Sequence, residues 1–200
     1  STPQFTAIHP FRGGATAVDE VCRNLVAVGA RPHSLTNCLN FGNPEKPDRL
    51  GFFREAVRGI GTTAQQLGIP IPSGNVSFYN ESPLGSVPPT PVVMGVGIVE
   101  DFRTCVTSDL KTAGNALFLV GETRQEMGGS EYFRVFGGSS ATAPDVDVAA
   151  LRGGMEGILT AIREGRVAAC HDLSHGGLAV AAAEMCLGGD LGATLELTHH

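Results

Sequence analysis

The segment Ser73-Gly74-Asn75-Val76-Ser77 holds the residue types that a phosphate and its metal ion require. Gly74 lets the backbone approach an anion, the amide oxygen of Asn75 can ligate Mg²⁺, and the hydroxyl of Ser77 can hydrogen-bond a phosphate oxygen. A hairpin turn uses the same residue types, and the local sequence taken alone favours the turn. The segment therefore predicts either an anion-binding loop or a simple turn.

A second candidate is the stretch Asn37–Pro44, where three of the first seven residues are asparagine. Asparagine is unusual inside a strand because its side chain competes for backbone hydrogen bonds. If Asn37 and Asn40 point to one face of a strand, they are poor core residues and good ligand contacts. The alternative is that Asn40 and Asn43 only cap turns.

Two further segments combine polar side chains with paired glycines. His171–Gly177 (HDLSHGG) has two imidazoles and a carboxylate at a predicted strand-to-helix turn, a set that suits catalysis or metal binding. The competing interpretation makes Asp172 or Ser174 the N-cap of the following helix and Gly176-Gly177 a place of tight packing, and it is the favoured one. Met127–Tyr132 is either a second anion loop or a turn, and the turn is again favoured.

Alternating helices and strands must position these segments. Apolar residues at helical spacing predict helices, and apolar runs bounded by turn residues predict strands. The predicted helices cover 15–29, 47–68, 146–164 and 178–187. The predicted strands cover 33–41, 69–73, 76–79, 92–99, 116–120, 167–170 and 193–197, and 80–91 is a predicted loop. This alternation indicates an α/β or α+β fold, with a domain boundary in the polar stretch 100–109.

Composition and charge exclude several classes of protein. The 200 residues are 42% hydrophobic and 17% charged, which is typical of a folded globular chain. A net charge of -6 and a pI near 5.5, without a Lys/Arg cluster, argue against nucleic acid or a membrane surface as a partner. Five cysteines without a CxxC pair indicate reduced thiols in a cytoplasmic protein. The 27 glycines indicate places where the backbone approaches a ligand or a neighbour closely.

Five segments together resemble one family in order and spacing. They are NCLNFGNPEKP at 37–47, SGNVSFYNE at 73–81, PPTPVVMGVGIVED at 88–101, GGSEY at 128–132 and HDLSHGGLAVAAAEM at 171–185. They are similar to formylglycinamide ribonucleotide amidotransferase, in the second half of its synthetase part, which has two pseudo-repeats related to aminoimidazole ribonucleotide synthetase. The resemblance implies an α+β or α/β fold with a partial N-terminal, barrel-forming domain over 1–104 and a truncated C-terminal α/β domain over 105–200.

The resemblance also implies a reaction and its ligands. The family uses ATP, with Mg²⁺, to activate the formyl amide oxygen of formylglycinamide ribonucleotide, and ammonia from glutamine then displaces phosphate. On the family pattern Asn37 and Gly74 contact ATP, Asn75 ligates Mg²⁺ and Ser77 binds the substrate. Asn37 and His175 stand where aspartate is usual, and at Asn37 this removes one negative charge. The implied partners are the first repeat of the same synthetase, a glutaminase subunit or domain and, for the isolated chain, further copies of itself.

The catalytic histidine, the ATP lysine and the metal carboxylates of the family belong to its first repeat, which these 200 residues do not contain. We therefore expect no catalytic residue here and no synthetase activity from the 200 residues alone, because groups that stabilise charge during phosphoryl transfer are missing. Two other hypotheses stay open. One is a non-catalytic nucleotide-binding or scaffold module, and the other is a different member of the same ATP-binding superfamily.

Overall fold

A three-stranded mixed sheet, with helices packed on one face, organises the first half of the molecule. The computed structural model describes residues 2–197. Its helices are α1 (Pro3–Ile8), α2 (Pro10–Ala27), α3 (Pro47–Leu67), α4 (Glu131–Phe136), α5 (Val148–Arg163) and α6 (Gly177–Gly189). Its strands are β1 (Arg31–Asn40), β2 (Ser73–Ser77), β3 (Glu81–Ser82), β4 (Gly85–Ser86) and β5 (Thr90–Ile98). Within residues 2–197, no helix combines the length and the apolar character needed to span a bilayer.

The strands follow the order β2-β1-β5, with β1 parallel to β2 and antiparallel to β5. Because α3 connects the two parallel strands, β1, α3 and β2 form a βαβ unit. In this register Asn37 lies beside Gly74, and Asn40 lies beside Ser77. The carboxyl ends of β1 and β2 therefore meet at one edge of the sheet, and the loops that follow them are neighbours.

The core forms where α2 and α3 cover one face of the sheet. Leu35 and Leu39 of β1 point toward the helices, and both are buried. They belong to one apolar cluster with Val18 and Cys22 of α2. Burial, with the nearby Asp19 carboxylate, raises the pKa of the Cys22 thiol to about 12, so this thiol stays neutral inside the core.

Glycines bring α2 and α3 into direct backbone contact. A Cβ atom at Gly14 would overlap the carbonyl oxygen of Ala56, and one at Gly59 would overlap the carbonyl oxygen of Phe11. Both glycines are buried. Part of the glycine excess therefore serves helix packing, and not the ligand contacts that the motifs alone suggest.

The side-chain hydroxyl of Thr6 is buried at the junction of α1 and α2 and has no hydrogen-bond partner among residues 2–197. An unpaired buried hydroxyl is unfavourable relative to an apolar group of the same shape, so Thr6→Val should raise the free energy of unfolding by about 1 kcal/mol. Urea denaturation measures the change. Thr16→Val is the control, because the Thr16 hydroxyl donates to the carbonyl oxygen of Gly13 at 3.1 Å and its loss should lower stability. Equal destabilisation by both variants would contradict this explanation.

Residues 101–197 contain three α-helices, a short 3-10 helix (Phe102–Thr104) and little sheet. α5 and α6 confirm the predicted helices, but the predicted strands 116–120, 167–170 and 193–197 are wrong. In the described part of this region the strand pairing is a single isolated bridge between Thr107 and Ala169. An apolar run becomes a strand only when a second strand satisfies its backbone groups, and apart from this bridge the described chain provides no such partner for these runs. Residues 198–200, the end of the predicted second domain, lie outside the described range, as does residue 1.

Some short elements of the structure were not predicted from the sequence. The predicted loop 80–91 contains the β3–β4 hairpin, and α1 and α4 are helices of six residues each that apolar periodicity does not reveal. By contrast, α2, α3, β1 and β5 confirm the predicted helices and strands to within a few residues at each end, except that α2 begins earlier. The mixed α+β class is confirmed.

Arginine side chains connect the two halves of the chain. Arg12 of α2 donates to the carbonyl oxygen of Ala143 at 2.8 Å, and Arg31 of β1 forms a two-point ion pair with Glu156 of α5. Arg23 of α2 makes a third connection of this kind, to the loop before α6. These arginine contacts add to apolar packing between the halves, where Met155 of α5 lies against the core of the first half.

Candidate functional site

The segment 73–77 is a single strand, β2, and not a turn. The predicted strand 69–73 and the turn after it are therefore wrong, the predicted strand 76–79 overlaps β2 only at residues 76 and 77, and the hairpin interpretation of Gly74 is wrong. The cause is the parallel pairing of β2 with β1, a long-range contact that a local pattern does not contain. Gly74 and Asn75 thus lie within the sheet, beside the asparagine-rich strand.

Asn37 and Gly74 lie on the side of the sheet that faces the helices, but β2 is an edge strand and Gly74 is exposed there. Asn37 shares this face with Leu35 and Leu39 because side chains alternate along a strand. A Cβ atom at residue 74 would lie 2.5 Å from Oδ1 of Asn37, so the asparagine amide extends across the space that glycine leaves. Asn37 and Asn40 are three residues apart and point to opposite faces, and the hypothesis that they share a face is wrong.

Asn75 and Ser77 lie on the opposite, open face of the sheet. Nδ2 of Asn75 contacts Sγ of Cys38 at 3.6 Å, and Nδ2 of Asn40 donates to the carbonyl oxygen of Cys38 at 3.2 Å. Alternation along β1 is the signal in the sequence that would have placed Cys38 and Asn40 together on this face. The predicted site residues therefore divide into two pairs, one on each face of the sheet.

Asn80, in the loop after β2, holds the side chain of Ser77. Oγ of Ser77 donates to Oδ1 of Asn80 at 3.2 Å, and Nδ2 of Asn80 donates to the carbonyl oxygens of Phe41 and Ser77 at 2.9 and 3.0 Å. Tyr79, between Ser77 and Asn80, has a φ of 60°, a left-handed conformation that bulky residues rarely adopt. This tight turn fixes the orientation of Ser77 relative to the end of β1.

Glu81 joins the loop after β1 to the loop after β2. Its Oε1 accepts hydrogen bonds from the backbone N–H of Asn43 at 3.2 Å and from Oγ of Ser86 at 2.7 Å, and Nζ of Lys46 donates to both carboxylate oxygens at 2.9 and 2.8 Å. These hydrogen bonds, the one from Lys46 above all, lower the pKa of Glu81 to about 2, so the carboxylate stays charged at neutral and mildly acidic pH. No local signal distinguishes Glu81 or Lys46 in the sequence, because their partners come from different segments.

Asn43 has the turn role that one of the two interpretations of its segment assigns to it. Its Oδ1 accepts a hydrogen bond from the backbone N–H of Glu45 at 2.8 Å, which is an Asx turn. Asn40 differs, because it belongs to β1 and its amide contacts the backbone of Cys38. The turn interpretation is therefore confirmed for Asn43 and wrong for Asn40.

The segment 171–177 packs against α2 through the carboxylate of Asp172 and the carbonyl group of Leu173. Arg23 donates to the carbonyl oxygen of Leu173 at 2.5 Å, and its guanidinium lies 3.9 Å from the Asp172 carboxylate. The amide of Asn24, oriented with its nitrogen toward Asp172, donates to both carboxylate oxygens at 3.0 and 2.8 Å. These contacts give Asp172 a structural role at the junction of the two halves.

The helix α6 begins without a side-chain cap. Its N-cap residue is Gly176, with a φ of 85°, so the predictions of Asp172 or Ser174 as the cap are wrong. Nε2 of His171 lies 3.1 Å from a carboxylate oxygen of Glu184 on α6. The positive φ at Gly176 explains the glycine as a sharp turn between the docked segment and the helix.

The segment 127–132 forms a turn that leads into α4. Gly129 has a φ of 73°, which glycine adopts readily. Oγ of Ser130 accepts a hydrogen bond from the backbone N–H of Phe133 at 3.3 Å, so Ser130 is the N-cap of this short helix. The turn interpretation accounts for the residue types in this segment.

Asn75 does not by itself fit the expected Mg²⁺ site. Within the described range of 2–197, no three side chains of His, Cys, Asp or Glu are grouped so that they could hold a metal ion. Asn75 offers one neutral amide oxygen, and its neighbour on the open face is the thiol of Cys38, a soft ligand. Mg²⁺ prefers octahedral oxygen coordination that usually includes one or two carboxylates. No chemical step can be derived from a metal ion held by these residues alone.

Two family models match almost the whole chain. Residues 1–99 match the N-terminal domain of AIR synthase related proteins, and residues 112–199 match the C-terminal domain of the same proteins. The chain belongs to the AIR synthase related family.

Curated relatives show which members of this family the chain is similar to. The chain is 45% identical over 207 residues to the phosphoribosylformylglycinamidine synthase subunit PurL of Methanothrix thermoacetophila, covering 99% of the chain and 27% of that protein. It is 43% identical over 198 residues to the corresponding subunit of Parvibaculum lavamentivorans, with coverage of 98% and 27%. The chain therefore spans about a quarter of the length of these relatives. The resemblance to formylglycinamide ribonucleotide amidotransferase, another name for this synthase, is confirmed.

Solved structures share the fold. PurL of T. maritima complexed with FGAR has a TM-score of 0.72 and 25% sequence identity, covering 92% of this chain and 30% of that one. PurL of T. maritima complexed with ATP has a TM-score of 0.69 and 24% identity, covering 93% and 28%. The expected similarity in fold to the aminoimidazole ribonucleotide synthetase group is therefore confirmed.

Proposed function

We propose that this chain supplies one repeat of an ATP-dependent ligase of purine biosynthesis. The ligase would convert formylglycinamide ribonucleotide, ATP and ammonia derived from glutamine into the formylglycinamidine ribonucleotide. The observation that carries the proposal is the parallel pairing of β1 with β2, which brings the segments 37–47 and 73–81 together. The similarity of the whole chain to PurL subunits supports the same reaction.

We assign one ligand to each face of the β1–β2 pair. Asn37 and Gly74 would contact ATP, and the close approach of the Asn37 amide to Gly74 supports a shared role. Ser77 would bind formylglycinamide ribonucleotide, and its orientation by Asn80 supports this assignment. For Asn75 the proposal is limited to one neutral oxygen near Mg²⁺ in the complete protein, where other groups would have to complete the coordination.

The chemistry assigned to this chain is binding and orientation. When bound, ATP supplies the phosphoryl group that activates the formyl amide oxygen, after which ammonia displaces phosphate. Asn37 offers a neutral amide where a carboxylate would carry charge, so it can hydrogen-bond a nucleotide without repelling its phosphates. Ser77, fixed by the turn after β2, would orient the substrate without taking part in proton transfer. We assign no catalytic residue to these 200 residues.

The open face of β5 supports association with another sheet. Its exposed apolar side chains form one row along the strand: Val92, Met94, Val96 and Ile98. A row of this kind usually marks an interface. We propose that the first repeat of the same synthetase covers it, and that the isolated chain self-associates through it. A glutaminase subunit or domain is the proposed source of ammonia.

Two further assignments belong to this proposal. The five cysteines are all free, which supports a reducing compartment, the cytoplasm. We also propose two domains, over 1–104 and 105–200. The polar contacts of Arg12 and Arg31 across this division are typical of contacts between domains.

The test of the proposed function uses the complete protein with ammonium chloride as the nitrogen donor. Ser77→Ala removes one hydrogen bond to the substrate, so the KM for formylglycinamide ribonucleotide should rise about five- to tenfold while the KM for ATP stays unchanged. Phosphate release measures both constants. Ser73→Ala is the matched control, because Ser73 lies on the same strand and face and its hydroxyl contacts that of Thr36 at 3.0 Å.

Two outcomes would refute the proposal at different levels. An unchanged KM in Ser77→Ala would remove Ser77 from the substrate site. Absence of phosphate release that depends on formylglycinamide ribonucleotide in the complete wild-type protein would overturn the ligase function and favour a non-catalytic nucleotide-binding module. The 200-residue chain alone should show no turnover in the same assay, because it lacks groups needed to stabilise the transferred phosphoryl group.

A further inference from the structure

The carboxylate of Glu81 collects donors from both loops at the carboxyl edge of β1 and β2. Asn43 and Lys46 reach it from the loop after β1, and Ser86 reaches it from β4. A Cβ atom at Gly42 would lie 2.6 Å from Oγ of Ser86, so the two loops are in close contact at this point. An isolated surface ion pair contributes little, but here one carboxylate orders a backbone N–H, a hydroxyl and an ammonium together.

Backbone hydrogen bonds between the same two loops connect the region around Glu81 to Ser77. The N–H of Tyr79 donates to the carbonyl oxygen of Gly42 at 3.2 Å, and the N–H of Asn80 donates to that of Phe41 at 3.3 Å. The side chain of Asn80 then hydrogen-bonds Ser77. If the loops separate, Asn80 loses its anchor on Phe41, and the Ser77 hydroxyl loses its fixed orientation.

We propose that Glu81 is a positioning residue for the substrate site, acting through Asn80 on Ser77. It holds the loop 42–46 against the loop 78–86, and the substrate contact depends on this arrangement. The inference rests on the proposed function, because Ser77 is a substrate contact only within it. Glu81 itself does not touch the substrate.

In this arrangement Lys46 connects the loop after β1 to Glu81 and does not serve as a phosphate ligand. Both carboxylate oxygens of Glu81 lie within 2.9 Å of its ammonium, so most of the lysine charge is compensated locally. The low pKa of the Glu81 carboxyl agrees with this close pairing. Removing either member of the pair should therefore have the same consequence for Ser77.

The experiment measures steady-state kinetics of the complete protein with ammonium chloride as the nitrogen donor. Glu81→Gln keeps the shape of the side chain and removes its charge. The KM for formylglycinamide ribonucleotide should rise about tenfold, equal to the loss of one oriented hydrogen bond. The kcat and the KM for ATP should stay within about twofold, because Asn37 and Gly74 lie on the other face of the sheet.

Variants at Lys46 separate positioning from direct binding. Lys46→Met should raise the same KM as much as Glu81→Gln does, and the double variant should be no worse than either single variant. Glu55→Gln is the matched control, since Glu55 pairs with Arg58 on the exposed side of α3. A much larger effect of Lys46→Met than of Glu81→Gln would overturn the inference, because it would make Lys46 a ligand of the substrate phosphate.

Hydrogen exchange on the complete protein in the absence of ligands tests the structural step without a substrate. In Glu81→Gln the amides of Tyr79 and Asn80 should exchange faster, whereas those of Leu35 and Leu39 in β1 should not change. Unchanged exchange at Tyr79 and Asn80 would refute the positioning mechanism. An active wild-type protein with an unchanged substrate KM in Glu81→Gln refutes the inference alone, whereas an inactive wild-type protein refutes the proposed function as well.

Discussion

Gly59→Ala is expected to destabilise the protein by about 1 to 3 kcal/mol, although alanine is the better helix former. The added methyl group would overlap the carbonyl oxygen of Phe11, so α2 and α3 would have to move apart. Such a movement opens the apolar cluster that both helices form with β1. Because backbone atoms on α2 oppose the methyl group, no rotation of a side chain can relieve the overlap.

Urea denaturation of Gly59→Ala and Gly61→Ala separates the packing effect from helix propensity. Gly61 lies two residues further along α3, is exposed, and has no atom within 4 Å of an added Cβ. Gly61→Ala should therefore gain about 0.5 to 1 kcal/mol, because glycine is unfavourable inside a helix. A gain in stability for both variants would contradict the close contact between the helices.

Arg23→Leu is expected to lower the free energy of unfolding by about 2 kcal/mol, because it leaves two largely buried carboxylates without the Arg23 cation. The side chains of Asp19 and Asp172 are only 19% and 13% exposed. Burial opposes the charge of Arg23, but Asp19, followed by Asp172 and Glu20, outweighs it and raises the pKa of the guanidinium. The guanidinium also donates to the carbonyl oxygen of Leu173, which would lose this donor.

Arg166→Leu is the control for this prediction. Arg166 also pairs with a carboxylate, that of Glu164 at 2.8 Å, but its side chain is 74% exposed. Its replacement should change stability by less than about 0.5 kcal/mol. Thermal unfolding compares the two proteins, and hydrogen exchange of residues 171–177 should accelerate in Arg23→Leu alone. Equal stability of the two variants would show that Arg23 does not hold the second half of the chain on α2.

Elements whose stability comes from one apolar face could be predicted from the sequence. The periodicity of Val18, Cys22 and Val26 identifies α2, and that of Ile60 and Ala64 identifies α3, because these residues form the core. β1 and β5 follow from their apolar residues and the turn residues around them. The family motifs bring Gly74 and Ser77 into the site, although local spacing alone favours a turn there.

Features that depend on long-range pairing could not be predicted in this way. The parallel contact of β2 with β1 makes Gly74 a strand residue, and the same pairing separates Asn37 from Ser77 across the sheet. Glu81 and Lys46 are distant in sequence, so only the fold reveals their ion pair. The runs 116–120 and 193–197 were predicted as strands from their apolar residues, but they are not strands, because they lack a pairing partner in the described chain.

The contact between Asn37 and Gly74 makes two positions distant in sequence depend on each other. An asparagine can cross β2 only while residue 74 lacks a Cβ atom, so any larger residue at 74 requires a different side chain or rotamer at 37. Substitutions at positions 37 and 74 should therefore covary among related sequences. In a collection of related sequences, residue 74 should stay glycine wherever residue 37 is asparagine or aspartate, and exchanges at the two positions should coincide.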